Sequence, residues 1–242
     1  TIRKVINPFV LSDLDYKVSH MNRLSHDKSV PAGERVDRAM KKFGRLSTSE
    51  VVTPAWVADK MVRYLPADRI KKGTKVLDIA AKQGEFANAL FKAFGDKVKN
   101  TIYSIPTSPL TYEFTRKVYE LLGLPVNNVI EHFNSYDLLN DKKKEKTMKE
   151  LLAMNTDIII GNPPYQDNAV GEQKTYNGPI YNLFMDCAYT ACDVVEMIHP
   201  ARFLSNAGST PKAWNKKMLE DKHLNICDYF AKSEKIVPTI SG

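Results

Sequence analysis

Residues 162–165 read Asn162-Pro163-Pro164-Tyr165, directly after an apolar run ending Asp157-Ile158-Ile159-Ile160-Gly161. Two consecutive prolines fix the backbone and remove two N–H donors, so the turn offers carbonyl acceptors on a rigid frame. Asn162 adds a side-chain amide oxygen, and Tyr165 adds a flat aromatic face. Two acceptors beside an aromatic plane suit a planar ligand with an exocyclic amino group. The amine would donate to Asn162 Oδ1 and to the Pro163 carbonyl, which holds the nitrogen and raises its electron density. Stacking on the tyrosine ring contributes about 1–3 kcal/mol when the ligand is a base. The bland alternative is a proline-rich turn that only ends a buried strand.

The surrounding pattern says what must position that turn. From Thr53 onward, apolar runs of strand length alternate with helical periodicity. Strands are expected at 75–80, 101–105, 128–132, 157–160, 194–198 and 224–230. The run at 157–160 is continuous and apolar, as in a strand buried on both faces. Helices are expected to start at Thr53-Pro54, with Thr53 as N-cap and Pro54 as the first helical residue, and to follow at 86–94, 112–122, 180–191 and 213–219. In the first of these, Trp56, Val57, Met61 and Leu65 share one face; in the second, Phe86, Ala89, Leu90 and Phe94 do. Gly123 and Pro125 stop the helix before them. The alternation predicts an α/β fold with a mostly parallel sheet and helices on both faces. Ligands in such sheets bind outside the carboxyl ends of the strands, so chemistry is expected just after Asp78, Ile105, His132 and Ile160.

Residues 1–50 differ. Short apolar pieces (Val10, Leu11, Leu14) lie among charged and polar residues, and one amphipathic helix is expected at 33–43 through Val36, Met40 and Phe43. We read 1–50 as a helical lead-in or part of a preceding domain, and 51–242 as the main domain.

Composition bounds the class. The chain has 242 residues, 43% hydrophobic and 26% charged, which excludes a disordered tail, a collagen-like repeat and a disulfide scaffold. Lys+Arg 35 against Asp+Glu 28 gives a net charge of +7, which suits a polyanionic partner. The run from Lys142 to Lys146 reads as a solvated helix face rather than a DNA-backbone contact. Cys187, Cys192 and Cys227 form no C-x-x-C pair and are read as reduced, buried thiols in a cytoplasmic protein. No apolar run approaches the length needed to span a bilayer. No G-x-x-x-x-G-K-S/T loop is present, and the five histidines lack metal-ligand spacing.

Asn162-Pro163-Pro164-Tyr165 resembles the catalytic motif of amino-group methyltransferases, above all the adenine-N6 DNA methyltransferases. Three further segments resemble the same family, in its gamma motif order. Thr53-Pro54 through Met61 is similar to the helix whose Thr-Pro start contacts the methionine part of S-adenosylmethionine. Asp78, Ala80 and Gly84 match the cofactor motif, usually Asp-Pro-Ala-Cys-Gly-Ser-Gly. Asp137-Leu138 matches the pair that holds the cofactor's adenine, the carboxylate on the amino group and the leucine on the ring. The segments around Tyr181–Phe184 and Ile198–Leu204 also fit, so the resemblance covers about residues 53–237. Two positions depart. Lys82 replaces the first glycine of the cofactor motif, where a side chain crowds the cofactor or changes the turn. After the second strand, Tyr103-Ser104-Ile105-Pro106-Thr107-Ser108 has no carboxylate for the ribose, leaving Ser104, Thr107 or Ser108 as weaker substitutes.

The resemblance implies S-adenosylmethionine as cofactor and methyl transfer to N6 of a flipped-out adenine, within a restriction–modification system. Asn162, Pro163, Pro164 and Tyr165 would be catalytic. Thr53, Pro54, Asp78, Ala80, Gly84, Asp137, Leu138 and Asn162 would hold the cofactor. The partners implied are double-stranded DNA and other domains of a longer polypeptide, including a DNA-reading domain, with no membrane. Two other readings stay open: a protein glutamine methyltransferase, which shares the tetrapeptide, and a non-catalytic nucleic-acid-binding module with a decayed cofactor site.

Overall fold

The computed structural model describes residues 26–41, 52–166 and 178–231, with the single positions 12, 16, 19, 22 and 23. Four strands form one parallel sheet: β1 (Val76–Ala81), β2 (Ile102–Pro106), β3 (Ile158–Gly161) and β4 (Val195–Met197), in the order β2-β1-β3-β4. Seven α-helices are described: α1 (Ala32–Met40), α2 (Ala55–Tyr64), α3 (Glu85–Phe94), α4 (Pro109–Leu122), α5 (Lys144–Ala153), α6 (Tyr181–Ala191) and α7 (Lys212–Glu220).

The strands are apolar on both faces because helices cover both. Val76, Ile102, Ile158 and Ile160 pack with Val36, Met61, Phe86, Leu90 and Tyr119, that is, with α1, α2, α3 and α4. Leu77, Ile79, Ile105 and Ile159 turn to the other face, against Leu151 of α5 and Phe184, Cys187 and Ala188 of α6. This period-two division is what the pleat imposes on a strand buried on both sides. The expected α/β architecture with helices on both faces is therefore present.

α1 joins the first of these clusters. Val36 is fully buried, and Asp37 binds Lys92 Nζ and Asn88 Nδ2 of α3, each at 2.8 Å. Phe43, expected on the same helix, lies outside the described residues, as do Val10, Leu11 and Leu14.

Several expectations need correction. The strand expected at 128–132 is a single parallel bridge, Ser104 to Val129. The chain then leaves the sheet because Ser135 is drawn under the strand ends, its hydroxyl 2.8 Å from the Ile79 carbonyl and 3.0 Å from that of Ile105. Among the described residues, 224–230 pair with no strand either. Ile226 and Tyr229 are exposed, and the segment is tied to α2 instead, through a Lys60–Asp228 ion pair and an edge contact of Phe230 on Trp56. Trp56 is accordingly exposed rather than on the buried face with Val57, Met61 and Leu65. Cys187 is buried, whereas Cys227 is exposed. α2 also begins one residue later than expected: Pro54 is the N-cap, and the Thr53 side chain is used elsewhere.

Candidate functional site

The chain leaves β1 toward β2 on one side and returns as β3 on the other. The switch point of the sheet thus lies between the carboxyl ends of β1 and β3, where open parallel sheets form a ligand crevice. The two strands are in close contact there. A Cβ on Gly161, the last residue of β3, would stand 3.1 Å from Ile79 Cγ2, so no side chain fits at that position without a shift. Asn162 follows at once and is buried. Its Nδ2 donates to Thr53 Oγ1 at 3.1 Å, which fixes the amide plane.

The β1 turn is built on the same few groups. Gly84 adopts φ 78°, a left-handed conformation that lets the strand stop and α3 begin. Glu85, at the start of α3, accepts from the Gln83 backbone N–H at 2.8 Å and from the Thr53 N–H at 3.2 Å, one with each oxygen. Thr53 is thereby held at both its backbone and its side chain. Lys82 is buried and crosses the crevice, donating from Nζ to the Asn162 carbonyl at 3.0 Å.

Asp78 is fully buried within β1. Its Oδ1 accepts from the Ala80 N–H at 3.1 Å, while Oδ2 has no hydrogen-bond partner. Burial pushes the Asp78 carboxyl well above the ordinary range. The negative Glu85 adds to this, and the Ala80 hydrogen bond and Lys82 oppose it.

The remaining candidates sit around this centre. Pro163 and Pro164 are buried, and Tyr165 is half-buried against the aromatic cluster of Tyr181, Phe203 and Trp214. Burial raises the Tyr165 phenol above its ordinary value. The Tyr165 carbonyl accepts from Ile180 N–H at 3.1 Å, and Gln166 bridges Pro179. Asp137 and Leu138 lie in a short 3-10 turn, Ser135–Leu138, at the carboxyl ends of β1 and β2. The Asp137 carboxylate accepts from Lys143 Nζ at 2.8 Å and from the Asn134 N–H at 3.2 Å. Leu138 is fully buried among the apolar residues of the second face.

The hydroxyls expected to replace a ribose-binding carboxylate are occupied. Ser104 is fully buried with its Oγ 2.9 Å from Tyr119 OH. Thr107 Oγ1 lies 3.2 Å from Thr111 Oγ1, and Ser108 caps α4 by accepting from the Thr111 N–H. The Ser104 hydroxyl is thus already engaged within the fold. Among the described residues no cluster of His, Cys, Asp or Glu has the arrangement of a metal site.

Three features in or beside the candidate site are not legible in the sequence. Glu85 reads there as an ordinary acid at a helix start. Lys82 reads as a departure from the glycine motif, with no hint that it reaches Asn162. His199 reads as the end of a strand, yet it stacks on Tyr181 with ring centroids 6.0 Å apart and planes 11° apart. Burial holds the His199 imidazole below its ordinary pKa and so neutral.

The fold is an α/β domain of the Rossmann-like class, with a parallel sheet in the order β2-β1-β3-β4 and helices on both faces. The chain belongs to the Eco57I restriction-modification methylase family, whose sequence profile matches residues 82–236. It is similar to the crystal structure of a type I restriction-modification system methyltransferase subunit from Streptococcus thermophilus, with TM-score 0.54 and 18% identity over 76% of this chain and 42% of that one. It is also similar to a modification subunit of a type I restriction enzyme from Vibrio vulnificus YJ016, with TM-score 0.50 and 17% identity over 78% of this chain and 44% of that one. The chain thus spans less than half the length of either solved chain. Among proteins of curated function, none matches it significantly.

Proposed function

We propose that this domain transfers a methyl group from S-adenosylmethionine to the N6 amino group of an adenine in DNA, within a restriction–modification system. The observation that carries the reading is the Asn162 turn at the sheet's switch point, its amide held by Thr53 in a chain of the restriction-modification methylase family. With Nδ2 engaged by Thr53, the amide oxygen is the group left to accept from a ligand amine.

The residues present fit the cofactor. Asp78 Oδ2 is a buried, unpartnered oxygen where β1 lies beside the end of β3, which suits a hydrogen-bond partner on a bound molecule. Asp78, Gly84 and the Thr53-Pro54 segment would hold the methionine part; Asp137 and Leu138 would hold the adenine. When bound, the cofactor supplies a sulfonium-activated methyl group.

The chain's own groups supply position. The adenine must leave the duplex stack, because its amino group is paired inside the helix. Asn162 Oδ1 and the Pro163 carbonyl then accept from the amine. Both lie on a backbone that two prolines hold fixed, so little reorganisation accompanies the reaction. Tyr165 supports the base plane and is itself supported by Tyr181, Phe203 and Trp214. Affinity for the DNA backbone would come from the +7 surplus, a contribution that weakens with salt and carries no sequence information.

Transfer of labelled methyl groups to DNA, compared between the parent and Asn162→Ala, tests the assignment. Removing one pre-organised acceptor is expected to lower the rate by roughly 100-fold or more. Equal rates overturn the role of Asn162.

A second reading, a non-catalytic nucleic-acid-binding domain, is favoured by Lys82, whose side chain fills part of the crevice. It predicts DNA retention with no methyl transfer by either protein.

A further inference from the structure

We propose that Arg202 and Lys212, beside the strand ends that carry Asn162, bind phosphates of the DNA backbone next to the adenine that enters the crevice. The proposal rests on the methyl-transfer reading for the identity of the partner. It goes beyond that reading in naming the surface that meets the DNA.

The place follows from the sheet. β4 runs parallel to β3, and the Ile198 N–H donates to the Gly161 carbonyl at 3.1 Å, so the chain leaves β4 beside the residue that precedes Asn162. It then enters a 3-10 turn, Ala201–Ser205. Phe203 of that turn is fully buried in the cluster that packs against Tyr165, while Arg202 is exposed.

The loop that follows is tied down. Asn206 ends the turn with φ 51°, and Gly208 adopts φ 85°. The Ala207 N–H returns to the Arg202 carbonyl at 2.9 Å, and a Cβ on Gly208 would stand 3.2 Å from Arg202 Cβ. Asn215 of α7 is fully buried. It donates from Nδ2 to Asn206 Oδ1 at 3.1 Å and accepts from Thr210 Oγ1 at 2.7 Å. Thr210 in turn shares a hydrogen bond with the Tyr181 phenol. Buried polar groups thus join the exposed residues 205–209 to the aromatic cluster beside Tyr165.

Charge says what this surface takes. Between Glu196 and Glu220 the sequence has no Asp or Glu, but it has Arg202, Lys212, Lys216 and Lys217. Lys217 pairs with Asp186 at 3.0 Å, and Lys216 stands 3.8 Å from Glu220. Among the described residues, Arg202 and Lys212 pair with no carboxylate, and Lys212 Nζ donates to a neutral acceptor, the Asn206 carbonyl. A guanidinium fits a phosphate through two parallel hydrogen bonds, and an ammonium serves as a point charge. Each phosphate neutralised releases condensed counterions, a gain that a cation already paired on the protein surface largely forgoes.

Binding of a fluorescently labelled DNA duplex to the whole chain, followed by anisotropy over a range of salt concentrations, tests the proposal. The proteins compared are the parent, Arg202→Gln, Lys212→Gln, Arg202→Lys and Lys72→Gln. Lys72 is exposed in the turn before β1, at the other end of the sheet, and controls for a change in net charge alone. Arg202→Gln and Lys212→Gln are each expected to make the slope of log K against log salt shallower by about 0.9, the loss of one phosphate contact. Arg202→Lys and Lys72→Gln are expected to keep the parent slope. The parent slope in both of the first two variants, or an equal change in Lys72→Gln, overturns the proposal. The expected slopes in a parent that transfers no methyl group uphold the phosphate contacts and overturn the methyl-transfer reading. Failure of the parent to bind the duplex overturns both.

Discussion

The two junctions of β1 with its neighbours are built differently. Between β1 and β3, polar side chains cross from one part of the chain to another. Lys82 bonds Asn162 across 80 residues, and Asn162 bonds Thr53 across 109. Between β1 and β2, the hydroxyls of β2 and of the turn after it are satisfied closer to home, although Ser135 reaches the Ile79 carbonyl across 56 residues and that of Ile105 across 30. Thr107 meets Thr111 four residues on, Ser108 caps its own helix three residues on, and Ser104 meets Tyr119 fifteen residues on. The first arrangement leaves the buried Asp78 Oδ2 with no partner. The second closes that end of the sheet with local hydrogen bonds and caps. The adjacent junctions thus share one strand and differ in how far their polar groups reach.

That division can be broken by measurement. The largest expected effect lies at Asp78, and it is a dependence on pH. Its folded pKa is raised, so the folded state keeps a proton that the unfolded state releases above about pH 4. The stability it contributes is present at acid pH and is lost as pH rises through the folded value. Denaturant midpoints across that range should fall for the parent and fall less for Asp78→Asn, which cannot titrate. Parallel curves would remove Asp78 from the polar junction. Glu85→Gln comes next. An amide cannot accept with both ends, so one of the Thr53 and Gln83 N–H groups loses its partner, at about 2 kcal/mol of unfolding free energy. Methyl transfer should fall as well, because Thr53 holds Asn162. Ser104→Ala is the smallest, about 1 kcal/mol for the lost bond to Tyr119, with transfer unchanged. A rate loss in Ser104→Ala as large as that in Glu85→Gln would erase the distinction between the two junctions.

Legibility in the sequence followed the same line. The apolar strands β1, β2 and β3 and the helices between them were readable because burial on both faces leaves continuous apolar runs of fixed length. The tetrapeptide was readable because prolines announce their own backbone. The segments at 128–132 and 224–230 were misread, since an apolar run reports that burial is available and not that a neighbouring strand is. One was drawn off after a single bridge by Ser135, and the other was held on α2 by Lys60 and Trp56. Lys82 is legible as a missing glycine, but Asn162, to which it donates, is 80 residues away and no local pattern encodes such a reach. Glu85 and the His199–Tyr181 stack share that difficulty.

The length of those connections bears on how the molecule is made. Local hydrogen bonds form as soon as a short loop closes, whereas joining residues 80 or 109 apart requires most of the chain to have collapsed already. The turn and helix cap after β2 can therefore assemble early, and the crevice between β1 and β3 only near the end of folding. Formation of the Asn162–Thr53 bond would mark completion of the molecule, and in a partly unfolded molecule it would be among the first contacts to open.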